Sequence, residues 1–159
     1  MDSEGQYQGE WENDYRHGQG VEDFADGSRY EGEFVKGIKH GKGKFLWEDN
    51  AIYEGELTNG QITGYGIYEW SDGRRYEGTW LENKMHGKGV FTWKDGRYYT
   101  GEYQYDKKEG YGEFYWPNGR IYKGQWKDGK QDGQGEMSNA TTNESKKGTW
   151  VKGKRLLEK

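Results

Sequence analysis

Large apolar residues recur along this chain with two periods, one of two residues within short runs and one of 23 residues between runs. Tyr7, Tyr30, Tyr53, Tyr76, Tyr99 and Tyr122 each open a 23-residue segment. Counted from the tyrosine, position 3 is always glycine, from Gly9 to Gly124. Position 5 is large (Trp11, Phe34, Leu57, Trp80, Tyr103, Trp126), and positions 12 and 14 are glycine throughout, from Gly18 and Gly20 to Gly133 and Gly135. Positions 16 and 18 are bulky in four segments: Phe45/Trp47, Tyr68/Trp70, Phe91/Trp93 and Phe114/Trp116. Alternation with period two predicts strands. Turn signals divide each segment twice: Asn-Asp, Lys-Gly or Asn-Gly at positions 7 and 8, and mostly Asp-Gly at 20 and 21. Such residues tolerate the positive φ of tight hairpin turns. Each segment therefore reads as a β-hairpin, and successive hairpins continue as an antiparallel meander.

An odd period constrains the turns. Two-residue loops at both would flip the aromatic face in every repeat, so one loop must be odd. The second is expected to be a three-residue loop ending in a left-handed glycine, such as Lys94-Asp95-Gly96. In that register Phe91 opposes Tyr99, Gly89 opposes Gly101, and Tyr76 opposes Gly89 across the first turn. The glycines leave room for rings to lie across neighbouring strands. The other face carries Glu31, Glu54 and Glu77 at position 2 and Glu10, Glu33, Glu56 and Glu102 at position 4. One aromatic and one charged face predict an all-β, elongated, twisted single-layer sheet, about 60 Å long at roughly 4.8 Å per strand. The expected organisation is a lead (1–6), an array (7–29, 30–52, 53–75, 76–98, 99–121, 122–145) and a capping half-repeat with a basic tail (146–159). Gly148 and Trp150 mark that half-repeat, after Asn139 and Thr141-Thr142 have replaced the usual Trp and turn.

Composition would otherwise suggest disorder: 33% charged residues, 30% hydrophobic and a mean hydropathy of −1.40. Aromatics at 17%, placed at fixed intervals, reverse that reading. The absence of cysteine excludes disulfides and thiolate chemistry. No apolar run has the length of a membrane span, so a cytoplasmic location is expected. The net charge of −4 is uneven: residues 146–159 hold six cations against one carboxylate, which leaves −9 on residues 1–145. An acidic body disfavours nucleic acid and anionic membranes.

Tyr76-Glu77-Gly78-Thr79-Trp80, His86-Gly87-Lys88-Gly89 and Asp95-Gly96 resemble the MORN repeat (membrane occupation and recognition nexus). The resemblance runs from residue 7 to about residue 153. It departs at Thr63, Glu109 and Asp132, which stand in the histidine position, and at Leu57 and Tyr103 in the tryptophan position. It implies a single-sheet ribbon used for interaction. MORN arrays are found in junctophilins, ciliary radial spoke heads and protist cytoskeletal scaffolds, and beside phosphatidylinositol phosphate kinase and SET methyltransferase domains.

Candidate chemistry is sparse. His17, His40 and His86 recur at repeat spacing, too far apart to converge on a metal. Gly41-Lys42-Gly43 and Gly87-Lys88-Gly89 lack the continuation of a phosphate loop. No Ser or Thr has a convincing His and Asp arrangement, so no enzyme activity and no cofactor are expected. The reading is a non-catalytic scaffold in a cytoskeletal or ciliary assembly. It would bind a helix or extended peptide, basic in character, through Tyr53, Trp70, Tyr76, Trp80, Trp93 and Tyr99. The alternative is a phospholipid-associating module belonging to a larger enzyme. In that reading Lys146, Lys147, Lys152, Lys154 and Arg155 would meet a lipid or acidic partner. Self-association through the N-terminal edge is a third expectation.

Overall fold

A computed structural model describes residues 5–157. Most of the expected lead (residues 1–4) and the last two residues of the basic tail lie outside that range. Regular structure among the described residues is entirely β. The chain forms two compact units, Met1–Lys84 and Met85–Lys159. The first contains β1 (Gln6–Glu12), β2 (Tyr15–Asp23), β3 (Arg29–Val35), β4 (Ile38–Leu46), β5 (Ile52–Thr58), β6 (Gln61–Glu69) and β7 (Arg75–Leu81). The second holds β8 (Lys84–Thr92, all but its first residue), β9 (Tyr98–Gln104), β10 (Lys107–Tyr115), β11 (Arg120–Lys127), β12 (Lys130–Asn139), β13 (Glu144–Val151) and β14 (Lys154–Arg155). Within each unit every strand pairs antiparallel with its neighbours in sequence, which is the predicted all-β meander of hairpin repeats.

The turns follow the sequence signals. At the first turn both loop residues have positive φ, for example Asn13 and Asp14 at 52° and 66°, or Asn59 and Gly60 at 51° and 80°. This is the mirror-image turn that suits twisted strands. At the second turn the Trp93 amide donates to the Arg97 carbonyl at 2.9 Å, enclosing Lys94-Asp95-Gly96 with Gly96 at φ 97°. Asp95 Oδ1 accepts the Arg97 amide at 3.0 Å and closes the loop from within. The second loop is therefore odd, and the aromatic face keeps its side from repeat to repeat.

The register holds across the second turn, where Gly89 opposes Gly101 and Phe91 opposes Tyr99. Across the first turn the expectation needs correction. In the sister hairpins the tyrosine faces position 16 rather than glycine 14: Tyr30 opposes Phe45, Tyr53 opposes Tyr68 and Tyr122 opposes Met137. The cause is a bulge. Pairing steps from Gly32–Gly43 to Phe34–Lys39, so His40, Gly41 and Lys42 together face Glu33. A bulge needs a residue that accepts an unusual backbone conformation, and Gly41 has φ 93°. The two extra residues leave the parity unchanged, which is why the face prediction survived the register error.

The bulge frees backbone groups, and side chains of conserved position satisfy them. The Lys42 amide donates to Glu33 Oε2, and the Gln19 and Tyr111 amides likewise donate to Glu10 and Glu102. On the other face the Tyr30 hydroxyl donates to the Glu33 carbonyl at 2.9 Å. Tyr53, Tyr76, Tyr99 and Tyr122 repeat that bond at 2.7–2.9 Å. Each ring lies over a facing glycine pair. A Cβ added to Gly43 would sit 2.4 Å from the Tyr30 ring, and one on Gly32 would sit 2.5 Å from the Gly43 Cα. Tyr30, Tyr53, Tyr76, Tyr99 and Tyr122 are consequently 0% exposed in a single-layer sheet.

Gly43→Ala should therefore destabilise the fold by about 1–3 kcal/mol, because neither the ring nor the facing backbone can retreat. Urea unfolding of the full chain would measure it, and a loss below about 0.5 kcal/mol would contradict the ring-over-glycine packing.

Burial also raises the pKa of the Tyr30 and Tyr53 hydroxyls, with the nearby Glu33 and Glu56 charges adding to it, and pushes Tyr122 up to about 12. Unfolded tyrosines ionise near about 10. The folded state then binds more protons than the unfolded one in that range, so these rings stabilise fully below about pH 10 and the contribution fades as pH rises toward the folded pKa. Tyrosinate absorbance should rise in two phases on alkaline titration. Exposed rings titrate first, and the buried set follows together with loss of the β circular dichroism signal.

Candidate functional site

Pairing assigns each side chain to a face. Positions 1, 3, 5, 10, 14 and 16 share the aromatic side, as in the pairs Tyr103–Lys108 and Tyr99–Phe114. The tyrosines meet their own position-5 residue edge-to-face, Tyr30–Phe34 at 5.2 Å and Tyr122–Trp126 at 5.3 Å. They meet the next repeat's position 5 in the same way, Tyr7–Phe34 at 5.3 Å and Tyr99–Trp126 at 5.4 Å. Such contacts add to the burial of the rings. The indole N–H groups of Trp80 and Trp126 donate to the Gly66 and Gly112 carbonyls at 3.1 Å.

This core absorbs most of the residues expected to hold a partner. Tyr53, Tyr76 and Tyr99 have no exposed surface and Trp80 is 6% exposed, so these four rings build the sheet and offer a partner nothing to touch. Trp70 and Trp93 are half-buried. In the first compact unit Trp70 belongs to a row with Phe45, Trp47 and Tyr68, at centroid spacings of 4.5–5.2 Å. In the second, Phe91, Trp93, Phe114 and Trp116 form a similar row at 4.4–5.4 Å.

Cations, rather than carboxylates, accompany these rings. The guanidinium groups of Arg74, Arg97 and Arg120 lie 5.1–5.2 Å from the Trp70, Trp93 and Trp116 rings. Arg74 and Arg97 are held there by Asp72 and Asp95 at 2.8 Å. Lys108 Nζ sits 5.4–5.7 Å from the rings of Trp93, Tyr99, Phe114 and Trp126, and burial, with Arg97 near, pushes its pKa below the ordinary amine range. Sequence reasoning missed these residues. Their signals were the arginine at position 22 after the Asp-Gly or Asn-Gly of repeats three, four and five, and the basic choices at position 10. The glutamates of positions 2 and 4 lie on the opposite face, where Glu10, Glu33, Glu56 and Glu102 serve the bulge amides.

Repeat one departs from the pattern in one place. Glu22 occupies position 16, where repeats two to five carry a ring, and is 8% exposed. Arg16 binds one carboxylate oxygen and Lys39 approaches the other at 3.2 Å. Burial alone would raise this carboxyl; the hydrogen bonds from Arg16 and Lys39 outweigh it and hold the pKa below the ordinary value.

The histidines are structural ties. His17, His40 and His86 accept, through Nδ1, the position-7 amide of the following repeat (Lys36, Asn59 and Tyr105) at 3.2–3.3 Å. Thr63, Glu109 and Asp132 accept the equivalent amides of Glu82, Asp128 and Lys152. The position asks for an acceptor, and four residue types supply one. Among the described residues no group of three or more His, Asp or Glu could hold a metal ion. The basic tail splits between faces. Lys146 and Arg155 oppose Met137 and Trp150 on the aromatic side, whereas Lys147 opposes Glu136 and Lys154 opposes Val151 on the other. Lys152 lies in the turn at φ 49°.

The fold and face together define a class: an all-β repeat protein whose residues are spent on holding a thin sheet and presenting one of its sides. The MORN repeat is matched six times, at residues 7–29, 30–52, 53–74, 76–96, 99–119 and 122–141, and the chain belongs to that family. No curated protein matches the sequence. Among solved structures, the SAS-4 (dCPAP) TCP domain of Drosophila melanogaster, in complex with a proline-rich motif of Ana2 (dSTIL), is similar at 15% identity and a TM-score of 0.47, over 84% of each chain.

Because Glu22 is ionised more readily in the folded state, its ion pairs stabilise fully above about pH 4.5 and are lost as pH falls through the lower folded pKa. Glu22→Gln should flatten the acid limb of the stability curve and lower the neutral-pH midpoint. Thermal melts between about pH 3 and 7 test this, and parallel curves for both proteins would contradict it.

Proposed function

We propose that the protein is a non-catalytic MORN-repeat scaffold that captures a peptide segment of a protein partner on its aromatic face. The observation that carries this reading is the half-buried tryptophan row in each compact unit, with arginine guanidinium groups 5.1–5.2 Å from its rings. Rings needed only for stability are buried, as the position-1 tyrosines of repeats two to six are. The second-turn tryptophans keep exposed surface, and Trp and Arg are the residues that dominate interface energetics. Our reading takes the bound segment to be acidic in character. The glutamates from which a basic segment is expected lie on the other face, and within the second compact unit Lys108, Arg120 and Arg155 form no ion pair among the described residues, which favours carboxylates on the bound segment. A role in a cytoskeletal or ciliary assembly remains part of this reading, through the family's use in such scaffolds. The membrane-associating alternative is favoured less, since Lys146, Lys147, Lys152 and Lys154 do not share one surface. Among the described residues no helix is long and apolar enough to cross a membrane.

Trp70→Ala and Trp93→Ala, singly and together, should each weaken recovery of a crosslinked partner from native cells by at least about tenfold, since such anchors cost about 2 kcal/mol or more on truncation. The fold should survive because both side chains are partly exposed. Unchanged recovery with an intact β circular dichroism spectrum would sink the proposal.

A further inference from the structure

In the second compact unit the aromatic face opens into a hollow of about 420 Å³ where repeat six loses its rings. Met137 and Asn139 stand at the positions that hold Phe114 and Trp116 one repeat earlier. Lys146 opposes Met137, as Tyr122 opposes Phe114, so a lysine takes the place of the next tyrosine. The strand register continues while its filling stops, and the vacated volume is edged by charge. Arg120, Lys146 and Arg155 line it together with Met137 and Trp150, and Glu144 is the single carboxylate.

Among the described residues none of these three cations forms an ion pair, whereas Arg74 and Arg97 are each neutralised by a turn aspartate. The difference lies in the turn: Asn118 stands where Asp72 and Asp95 stand in earlier repeats, and it closes the loop by accepting the Arg120 amide at 3.0 Å without offering a charge. Both guanidinium groups are nonetheless held. Arg120 lies 5.2 Å from the Trp116 ring. Arg155 donates to the Lys147 carbonyl at 3.3 Å and covers Gly148, where an added Cβ would meet its Nε at 2.8 Å. A guanidinium offers planar donors suited to binding a carboxylate through two parallel hydrogen bonds.

We propose that this hollow receives the carboxylate of an acidic peptide segment, its Asp or Glu side chain meeting Arg120, Arg155 and Lys146 while an aliphatic neighbour rests on the half-buried Met137. The proposal rests on the reading of the aromatic face as a peptide-binding surface and names the chemistry recognised at one end of it. A singly charged carboxylate beside an apolar surface suits the site better than a free phosphate, because Glu144 at the rim opposes a second negative charge. A membrane headgroup would require the neighbouring lysines to share the surface, and Lys147 and Lys154 lie on the other side.

The test uses the full chain and two short amphipathic peptides, one with an all-Glu polar face and one with an all-Lys face, followed by fluorescence anisotropy at physiological salt. The Glu peptide should bind at least about tenfold tighter than the Lys peptide. Arg120→Gln combined with Arg155→Gln should weaken it by about tenfold or more, as expected for loss of charge-assisted hydrogen bonds. Lys127→Gln combined with Lys130→Gln, on the opposite face, should change binding by less than about twofold. Equal binding of the two peptides, no binding of the Glu peptide, or equal losses in the two double variants would each overturn the proposal. So would Arg120- and Arg155-dependent capture of vesicles that are about one-third phosphatidylserine in place of the peptide. Binding that ignores the arginines yet disappears with Trp93→Ala would overturn the hollow while leaving the binding face standing.

Discussion

A one-layer sheet has no second layer to cover its core, so every ring must find cover within its own repeat and the next. The position-1 tyrosine lying over a pair of facing glycines solves this problem locally. With no Cβ on Gly32 or Gly43, the Tyr30 ring settles onto bare backbone, and position-5 rings from two repeats close over its edges. The hydroxyl reaches the carbonyl at the bulge, so the polar end of a fully buried ring is satisfied by the backbone group that needs a donor. Ring, glycine pair and bulge are therefore one device, and each explains the sequence invariance of the other two.

The device also decides what is left for function. Glutamates at position 4 fold back on the bulge amides, and acceptors at position 11 tie each turn to the one before. Residues that look like chemistry in the sequence, the histidines and the regularly spaced carboxylates, are thus occupied by the backbone. What keeps solvent-exposed surface on the aromatic side is the second-turn tryptophan row, with arginines beside it. A surface of this kind can hold another chain, whereas catalysis would need groups converging on one reacting atom.

Hairpins, face alternation and the odd second loop were legible in the sequence because period two, Asp-Gly turns and a 23-residue repeat each have one structural meaning. The bulge was not. A ladder drawn straight from the two-residue turn predicts Tyr76 opposite Gly89, and only the φ of 93° at Gly41, in the sister repeat, reveals the extra residues. The glycine at position 12 was visible, but its reason was conformational rather than spatial. The depth of the candidate residues was not legible for a related cause. Aromatic identity and face can be taken from the pattern, but depth cannot: Tyr53 and Trp70 share a face, yet one is sealed by its neighbours and the other is partly open.

Positions that tolerate variation carry the individuality of this array. At position 11, His, Thr, Glu and Asp do the same work, so their differences say little about a partner. At position 10 the residue lies against the rings themselves, and the choices are Arg16, Lys39, Ile62, Met85, Lys108 and Gln131. Where a cation stands there in repeats one and two, Glu22 answers it within the chain. In repeat five, Lys108 rests among four rings with another cation, Arg97, as its charged neighbour. The aromatic face is thus internally neutralised at repeats one and two of the first unit, whereas in the second unit Lys108, Arg120 and Arg155 form no ion pair among the described residues. A repeat that is uniform in its packing can still differ from unit to unit in its electrostatics.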